Sequence, residues 1–289
     1  MKNLLKKRFL FLLVLLGLSG FLIDSVTIYP SPYTTLISAS SVVHHTPVIQ
    51  TEQTDRTCYH PTLKASTIEQ KQLRVVVWNL HKGLDRGWQQ ALQHYSQSAD
   101  ILLLQEVTSE QKLPQLLPTL PEQLFASPFA YRNVMSGVAQ ISKFVPQYYC
   151  SASVVEPWIR FPKASMSANY SRNNAQALLV INAHLINFEW IPTAYQQQLQ
   201  QITDQIKQHT GPVLLAGDFN AWNQERTVLL RQLMKQLGLQ EVQFTPDDRI
   251  RFNRYPLDYV FVRGINVIQA KTVQTTASDH NPLFIELAF

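Results

Sequence analysis

The chain has 289 residues, of which 45% are hydrophobic and 16% are charged. This composition supports a folded core and excludes wholesale disorder, and two cysteines are too few for a disulfide-rich mini-protein or a Cys-rich zinc site. The formal net charge is +5, but Lys2, Lys6, Lys7 and Arg8 lie in a stretch without acidic residues and supply most of it. The rest of the chain is nearly neutral, so its charge does not indicate a nucleic-acid-binding surface.

The N-terminus carries the pattern of a targeting segment. The basic residues Lys6, Lys7 and Arg8 precede an apolar run over 9–23. That run suits the hydrophobic region of a signal peptide and is short for a membrane-spanning helix, which needs about 20 residues. The basic flank favours an N-terminus in the cytoplasm with the rest of the chain outside. We expect residues 1–23 to be a signal peptide or N-terminal membrane anchor, and the lack of a convincing cleavage site favours the anchor.

A linker of mixed character is expected over 24–70, followed by one folded domain over 71–289. The linker is rich in serine, threonine and proline. Its apolar pairs at 36–37 and 42–43 suggest that part of it packs on the domain.

The two cysteines leave two alternatives open. Export would permit a disulfide between Cys58 and Cys150, because disulfides persist in oxidising compartments. The alternative is a pair of unbonded, buried thiols.

Strand and helix patterns alternate through the domain. Aliphatic and β-branched runs predict buried strands, and apolar residues spaced by three and four predict helices. The two strands at 137–141 and 148–155 look like a pair around Pro146. The pattern indicates an α/β sandwich, with sheets packed face to face and helices outside. Strands are predicted at 74–78, 101–104, 137–141, 148–155, 177–183, 213–216, 257–262, 267–275 and 282–287, and helices at 88–97, 191–208 and 224–237.

Polar residues stand where the predicted strands end, or interrupt them. Each alone has an ordinary explanation, such as a turn, a helix cap or a core histidine. Together, carboxylates, amides and two histidines describe a hard-cation site of the Mg²⁺ type with a group that titrates near neutral pH. A phosphate ester hydrolase uses such a set to bind metal and position water. The residues are Asn79, Gln105, Glu106, Asn182, His184, Asp218, Asn220, Asp258, Ser278, Asp279 and His280.

Seven motifs occur in order along three quarters of the chain. Together they resemble the endonuclease/exonuclease/phosphatase superfamily, which includes DNase I, exonuclease III, neutral sphingomyelinases and inositol polyphosphate 5-phosphatases. The wording of the fourth and fifth motifs is most similar to the bacterial YafD-like branch. The motifs are VVVWNLHKG (75–83), DILLLQEV (100–107), SGVAQISKF (136–144), INAHLINF (181–188), LLAGDFNAW (214–222), LDYVFV (257–262) and SDHNPL (278–283).

The resemblance implies a four-layer α/β sandwich with two mainly antiparallel sheets, and a divalent metal, Mg²⁺ with Mn²⁺ as the alternative. Glu106 and Asn79 are expected to hold the metal, with Asp279 as a ligand directly or through water. Asp218 and Asn220 are expected to orient the attacking water and contact the scissile phosphate.

The resemblance also implies roles for two histidines. Asp258 is expected to hydrogen-bond His280, which polarises the phosphate or acts as general base. His184 is expected to contact the phosphate or to protonate the leaving group. A histidine at this position resembles the DNase I, sphingomyelinase and 5-phosphatase branches and differs from the exonuclease III-like enzymes, which disfavours abasic-site repair.

Several residues near the motifs have open interpretations. An exposed tryptophan could stack on a base or enter a lipid headgroup layer, whereas a buried one belongs to the core. A cluster of arginines could face phosphate or simply be a solvated loop. We favour the core for Trp222 and leave Trp190 open, and the arginines are Arg249, Arg251 and Arg254. His81 and Lys82 either touch substrate or lie in an exposed loop, and Lys143 is either a surface charge or part of a structural pair.

The leading functional prediction is a divalent-metal-dependent phosphodiesterase of the DNase-type endonuclease kind. A phospholipid- or sphingomyelin-headgroup phosphodiesterase is the second alternative, and an inositol-phosphate-type phosphatase is the third. The non-enzymatic alternative is a membrane-tethered binding module that retains the fold. The expected partners are a nucleic acid or phospholipid substrate and a membrane, through 1–23. The expected location is exported, either anchored in the bacterial inner membrane or periplasmic or secreted; a cytoplasmic location follows if that segment is not a signal.

Overall fold

The structure is a computed structural model that describes residues 25–39, 41–48, 56–173 and 175–289. The predicted targeting segment 1–23 lies outside these described residues. Within the described ranges, no helix combines the length and the apolar character that crossing a membrane requires.

The first of two large sheets has eight strands and is antiparallel except where β6 runs parallel to β7. This parallel pair matters for the site, because it brings two strand ends to the same edge. In spatial order the strands are β18 (Asn266–Thr272), β19 (Leu283–Ala288), β6 (Gln72–Asn79), β7 (Ile101–Thr108), β9 (Val134–Ser142), β8 (Glu122–Tyr131), β1 (Val26–Ser38) and β2 (Ser41–Val43).

The second large sheet has nine strands and contains its own parallel pair, β12 with β13. A short strand, β5 (Thr67–Ile68), also runs parallel to β11 off the main path. A separate hairpin joins β15 (Arg251–Phe252) and β16 (Tyr255–Pro256). The main path is β14 (Gln240–Glu241), β17 (Asp258–Arg263), β13 (Val213–Asp218), β12 (Ala175–His184), β11 (Pro162–Arg172), β10 (Tyr148–Val155), β4 (Arg56–Pro61) and β3 (His45–Val48).

The two sheets pack face to face around a shared core. Val75, Val77 and Leu103 of the first sheet join Val180 and Leu214 of the second in one buried cluster. Successive side chains of a strand point to opposite faces, so the intervening residues of each strand pack outward under the helices.

Helices cover the outer faces of both sheets. The described helices are α1 (Trp88–Ser96), α2 (Leu113–Leu116), α3 (Thr193–Gln208) and α4 (Gln224–Gln236). α3 buries Tyr195, Leu199 and Ile202 against the second sheet, because residues three and four apart share one helix face. α1 buries Leu92 in the cluster of Trp78 on the first sheet. The layers of helix, sheet, sheet and helix confirm the predicted α/β sandwich.

The expected linker 24–70 is, in its described residues, part of the two sheets. β1 runs along β8 and places Leu36 opposite Leu124. In each apolar pair noted in the sequence, one residue is buried and the other faces outward; Val43 is buried, whereas Val42 is 68% exposed. The serine, threonine and proline content suggested a linker, but the alternation of strand side chains was the stronger signal.

The strands predicted at 137–141 and 148–155 do not pair with each other. They lie in β9 and β10, which belong to different sheets. Their partners are β8 and β11, two strands that the sequence analysis did not predict. β11 reads PKASMSANYSR, whose small and polar residues resemble a loop, yet most of them are buried because the strand lies inside the sheet.

The cysteines form a disulfide. Cys58 of β4 lies directly opposite Cys150 of β10, with their Cα atoms 4.0 Å apart. The bond ties the segment that precedes the domain to the second sheet.

Candidate active site

The predicted site residues converge at one edge of the sandwich, where strands of both sheets end. The parallel pairs bring Asn79 next to Gln105 in the first sheet and His184 next to Asp218 in the second. β17 runs antiparallel to β13, so its first residue, Asp258, also pairs with Asp218.

A hydrogen bond joins the two sheets at this edge. Asn79 Nδ2 donates to Asp218 Oδ2 at 3.1 Å. The amide oxygen of Asn79 accepts from the backbone N–H of His81 at 3.0 Å. The motifs WN and GDFN, which lie far apart in the chain, therefore meet in one constellation.

Gly217 explains the GD pair of the fifth motif. Its φ is +141°, and a Cβ atom there would lie 1.9 Å from the carbonyl oxygen of Ala183. Only glycine permits this approach of β13 to β12. The next residue, Asp218, is thereby presented at the strand end, and its Oδ1 accepts from the backbone N–H of Asn220 at 3.0 Å.

Asn220 shapes the loop that follows Asp218. It has a left-handed φ of +46° and is buried. Its Nδ2 donates to the carbonyl oxygen of Leu185 at 2.9 Å, so its side chain holds the loops after β12 and β13 together.

His280 and Asp258 form the predicted pair. His280 Nδ1 lies 2.7 Å from Asp258 Oδ2, and both side chains are buried. Burial alone lowers the pKa of His280, but the carboxylates of Asp258, Asp218 and Asp279 outweigh burial and raise it to about 10. His280 is therefore an imidazolium held in place by Asp258, with Nε2 4.0 Å from Asp218 Oδ2. Burial raises the pKa of Asp218.

Glu106 projects from an irregularity in β7. The pairing register with β9 shifts between Leu104 and Val107, and Glu106 has a φ of +52°. Its carboxylate lies 3.3 Å from Lys82 Nζ and 3.9 Å from Lys163 Nζ. Burial raises the pKa of Glu106, but the electrostatic interactions with His184, Lys163 and Lys82 outweigh burial and lower it to about 2; the two lysines carry the positive charge, because His184 is neutral at ordinary pH.

His184 has the opposite environment to His280. Its Nε2 lies 2.9 Å from Lys163 Nζ. An ammonium group can only donate, so Nε2 accepts and the imidazole is neutral. Burial, followed by the charge of Lys163, holds the pKa of His184 well below its usual value. Nε2 also lies 3.6 Å from Asp218 Oδ2.

Lys163 is the site residue that sequence reasoning missed. It lies at the start of β11, which carries no family motif. The only signal was a lysine at the start of a segment of mostly small and polar residues. Lys82, noted as marginal, contacts Glu106 directly.

Asp279 lies at the rim of the constellation. Its side chain is 55% exposed and lies 3.8 Å from His81 Nε2. His81 in turn places Nδ1 2.8 Å from Asp85 Oδ2.

The residues fit a divalent cation of the Mg²⁺ type. Within the described ranges, no three histidine, cysteine, aspartate or glutamate side chains gather as a ready-made metal cluster. Mg²⁺ needs few protein oxygens because it keeps several waters and substrate oxygens. Glu106 offers a deprotonated carboxylate that lies beside two cationic side chains, Lys82 and Lys163, and Asn79, at the end of the neighbouring strand, offers an amide oxygen. This donor set is oxygen-rich and attracts positive charge.

Other strand-end residues serve the fold. Gln105 Nε2 donates to Asn182 Oδ1 at 2.6 Å, and Asn182 Nδ2 donates to the carbonyl oxygens of Leu104 and Ala139. These buried amides bridge the sheets beneath the site. Ser278 Oγ donates to the carbonyl oxygen of Asn79 and ties the last loop to β6.

Two of the three arginines in the cluster pair with a neighbouring aspartate. Arg249 is buried, and both Arg249 and Arg251 donate to Asp247. Arg254 is exposed and donates to the hydroxyl of Tyr255. Asp247 therefore neutralises part of the cluster, although all three arginines line one surface cavity together with Arg231.

An apolar cavity of about 550 Å³ opens beside Glu106 and His184. The first sheet contributes Phe129 and Val138, and the loop before β11 contributes Phe161. Lys82 and Lys163 lie at the end of the cavity that reaches the site.

The sequence matches known proteins over most of its length. A family model described as "Endonuclease/Exonuclease/phosphatase family" matches residues 76–280. A UPF0294 protein of Vibrio vulnificus (strain YJ016) is 37% identical over 232 residues, covering 79% of this chain and 81% of that protein. A UPF0294 protein of Yersinia pseudotuberculosis is 39% identical over 215 residues, covering 74% and 83%.

Solved structures share the fold at low sequence identity. An endonuclease/exonuclease/phosphatase from Beutenbergia cavernae has a TM-score of 0.59 at 17% identity, over 76% of this chain and 72% of that chain. D. rerio TDP2, solved with a single-strand DNA product, has a TM-score of 0.56 at 15% identity, over 76% and 100%. ANGEL2, described as a 2′,3′-cyclic phosphatase, has a TM-score of 0.58 at 16% identity, over 78% and 98%.

Proposed function

The chain belongs to the endonuclease/exonuclease/phosphatase family, whose members hydrolyse phosphoester bonds, and from this premise we propose that it is a divalent-metal-dependent phosphodiesterase. One observation carries the proposal: Asn79 and Asp218, from different sheets, meet beside Glu106, a charged His280 and a neutral His184. Two histidines with pKa values pushed in opposite directions are typical of sites that divide proton-transfer and charge-stabilising roles.

In the proposed mechanism, Glu106 and Asn79 would hold Mg²⁺ or Mn²⁺, with Asp279 as a further ligand, directly or through water. The cation, when bound, supplies Lewis-acid stabilisation of charge on the phosphate. Lys82 and Lys163 neutralise the substrate's remaining negative charge.

The other residues position and polarise the reactants. His280, kept cationic and oriented by Asp258, donates from Nε2 to a phosphate oxygen and stabilises the charge that develops there. Asp218 orients the attacking water and accepts its proton, because burial has raised its pKa toward that of a useful base. The new P–O bond to water forms as the P–O bond to the leaving oxygen breaks, and the leaving oxygen takes a proton from solvent. His184 carries no proton on Nε2, which supports a role in phosphate contact through Lys163 over protonation of the leaving group.

The first test is hydrolysis of bis(p-nitrophenyl) phosphate by the full chain with Mg²⁺. We expect turnover that EDTA abolishes and that Asp218→Asn and Glu106→Gln lower by about 10²–10⁴-fold. Turnover that persists unchanged in EDTA or in both variants would contradict the proposal. A folded protein without turnover on any phosphodiester would instead favour the binding-module alternative.

A DNase-type endonuclease remains the proposed activity on polymers. The TDP2 neighbour was solved with DNA and ANGEL2 is described as a phosphatase of cyclic ends, so this fold serves more than one phosphoester. The test is nicking of supercoiled plasmid with Mg²⁺, with EDTA and His280→Ala as controls. Nicking lost in both controls supports the nuclease; intact plasmid at high enzyme, with the small diester still hydrolysed, removes it.

The second candidate is hydrolysis of phospholipid headgroups, favoured by the apolar cavity beside the site. An inositol-phosphate-type phosphatase stays the third, because two of the three arginines that could form a polyphosphate pocket pair with Asp247.

We also propose that the protein acts outside the cytoplasm. The disulfide between Cys58 and Cys150 supports this location, because such bonds persist in oxidising compartments. Alkylation of thiols in intact cells tests it: cysteines that react only after reduction support export, and cysteines that react at once contradict it.

A further inference from the structure

The apolar cavity beside the catalytic residues has two chemically different ends. Phe129 and Phe161 pack edge to face, with ring centroids 4.8 Å apart, and help form its walls. At the other end lie the cations Lys82 and Lys163 and the carboxylate of Glu106. A ligand that satisfies both ends carries an anionic group joined to a hydrocarbon.

We propose that this cavity binds the hydrocarbon chain of an amphiphilic phosphoester whose phosphate lies at the lysines. The inference rests on the proposed function, since it places the substrate's phosphate in the same site. It adds a substrate class: phosphoesters that carry an alkyl or acyl chain.

The walls favour a hydrocarbon over a nucleic acid. A nucleic acid strand is followed by cations that repeat along its backbone, because binding depends on neutralising successive phosphates. Here the lining is mostly aliphatic and aromatic, and its described cations are Arg132 together with Lys82 and Lys163, which lie beside Glu106. Burying a chain against aliphatic and aromatic walls gains free energy with each methylene removed from water.

An exposed apolar surface continues from the cavity rim. Ile159 lines the cavity and is 45% exposed. Its neighbour Trp158 packs against Trp190, with ring centroids 5.4 Å apart, and Trp190 is 72% exposed. Exposed tryptophans and aliphatic residues in one patch are typical of surfaces that meet lipid. This second observation lies on the path by which a chain would enter the cavity.

The first experiment measures binding without turnover. The purified, detergent-free full chain is titrated with methyl-, butyl-, octyl- and dodecylphosphonate, whose C–P bonds are not hydrolysed, below the concentrations at which they aggregate. We expect the affinity to rise by up to about fourfold per methylene until the cavity is filled. An affinity that is the same for methyl- and dodecylphosphonate would overturn the inference.

Matched variants assign the effect to the cavity. Ile159→Asp places a charge on the rim, and we expect at least a tenfold loss of dodecylphosphonate affinity with little change for methylphosphonate. Ile268→Asp is the control, because Ile268 is 49% exposed on β18 and does not line the cavity. Val134→Asp, on the opposite wall, is the second variant if the first fails to fold. Equal losses in Ile159→Asp and Ile268→Asp would overturn the assignment.

A hydrolysis experiment distinguishes two sources of the amphiphile, free monomers in solution and a membrane. The full chain is given p-nitrophenyl dodecyl phosphate as monomers and phosphatidylglycerol in vesicles. Hydrolysis in vesicles that falls in Trp190→Ser supports a substrate drawn from a membrane, whereas hydrolysis of monomers alone supports a soluble amphiphile. Equal hydrolysis of p-nitrophenyl methyl and dodecyl phosphates, with no chain-dependent binding, overturns the inference and leaves the phosphodiesterase proposal standing. Chain-dependent binding without hydrolysis of any diester supports the cavity inference and overturns the phosphodiesterase proposal.

Discussion

Two histidines, His184 and His280, both approach Asp218 Oδ2 but differ in charge, and their neighbours explain why. His280 faces carboxylates, which stabilise the imidazolium, whereas Lys163 and burial keep His184 neutral. This contrast favours charge stabilisation for His280 and phosphate contact for His184, two roles that the sequence alone did not distinguish.

The Asp258→Asn variant tests the electrostatics of this pair. We expect the pKa of His280 to fall, because its strongest charged partner is lost, and kcat to drop by about 10²–10⁴-fold. The alkaline limb of the pH–rate profile should move to lower pH, since the imidazolium is lost earlier. The pH–rate profile on bis(p-nitrophenyl) phosphate measures this, with Asp204→Asn, a partly exposed position on α3, as control. An unshifted alkaline limb would show that His280 does not set it.

The same pair links stability to pH. A pKa that is higher in the folded than in the unfolded state stabilises the fold fully below the unfolded value of about 6.5. This contribution is lost as pH rises through about 10, the pKa of folded His280. We expect the wild-type free energy of unfolding to decline across that window, and to decline less in Asp258→Asn. Urea titrations at several pH values measure both slopes.

Gly217 sets the position of Asp218, and Gly217→Ala tests its requirement. The added Cβ would lie 1.9 Å from a carbonyl oxygen, so β13 must shift from β12 and the variant should lose several kcal/mol of stability or fail to fold. Gly87→Ala is the control, because its φ is +88° but no atom lies within 4 Å of the added Cβ. Its cost should be about 1–2 kcal/mol. Equal losses of stability in the two variants would mean that the positive φ alone, and not the contact with Ala183, makes glycine necessary at position 217.

At the scale of elements, the strands before the domain are part of its core. Leu36 of β1 is fully buried, so Leu36→Ala should cost about 2–5 kcal/mol. Val42→Ala in the adjacent strand should change stability by less than about 0.5 kcal/mol, because Val42 is exposed. Urea unfolding compares the two. A negligible effect of Leu36→Ala on the free energy of unfolding would indicate that this segment is a linker and not part of the core.

The disulfide between Cys58 and Cys150 joins the strands before the domain to its second sheet covalently. It closes a loop with a sequence separation of 92 residues, and restricting such a loop in the unfolded chain is worth about 4–5 kcal/mol in the chain-entropy model. The double variant Cys58→Ser/Cys150→Ser should lose up to this amount. Reduced wild-type protein should unfold at the same urea concentration as the double variant, and a reduced protein as stable as the oxidised one would contradict the expectation.

At the scale of the whole molecule, charge and hydrophobicity are divided along the chain. Most of the net positive charge and a long apolar run lie in 1–23, where no acidic residue balances the four basic ones, whereas the remainder of the chain is nearly neutral. We expect the full chain in the membrane fraction and a variant lacking 1–23 in the soluble fraction, with equal turnover of a soluble phosphodiester. Fractionation with activity assays measures both. A full chain found wholly in the soluble fraction would favour a cleaved signal or a cytoplasmic protein.

Much of this protein was readable from local patterns. The strands at 74–78, 177–183 and 213–216 were predicted because aliphatic runs bury both faces of central strands. The polar residues at their ends were found as candidates because they interrupt those runs. Periodicity and strand-end position depend only on residues close together in the chain, so they can be recognised from the sequence.

The tertiary structure decided the rest, for physical reasons that act between distant segments. β8 and β11 became strands through pairing with neighbours, although their small and polar residues carry little periodic signal. Lys163 became a site residue only because β11 delivers it to His184 and Glu106. Charge states depend on burial and on partners brought from other strands, so opposite pKa shifts arose in two histidines that look alike in sequence. The local sequence determined which groups stand at the strand ends, and the packing of two sheets determined what those groups do to one another.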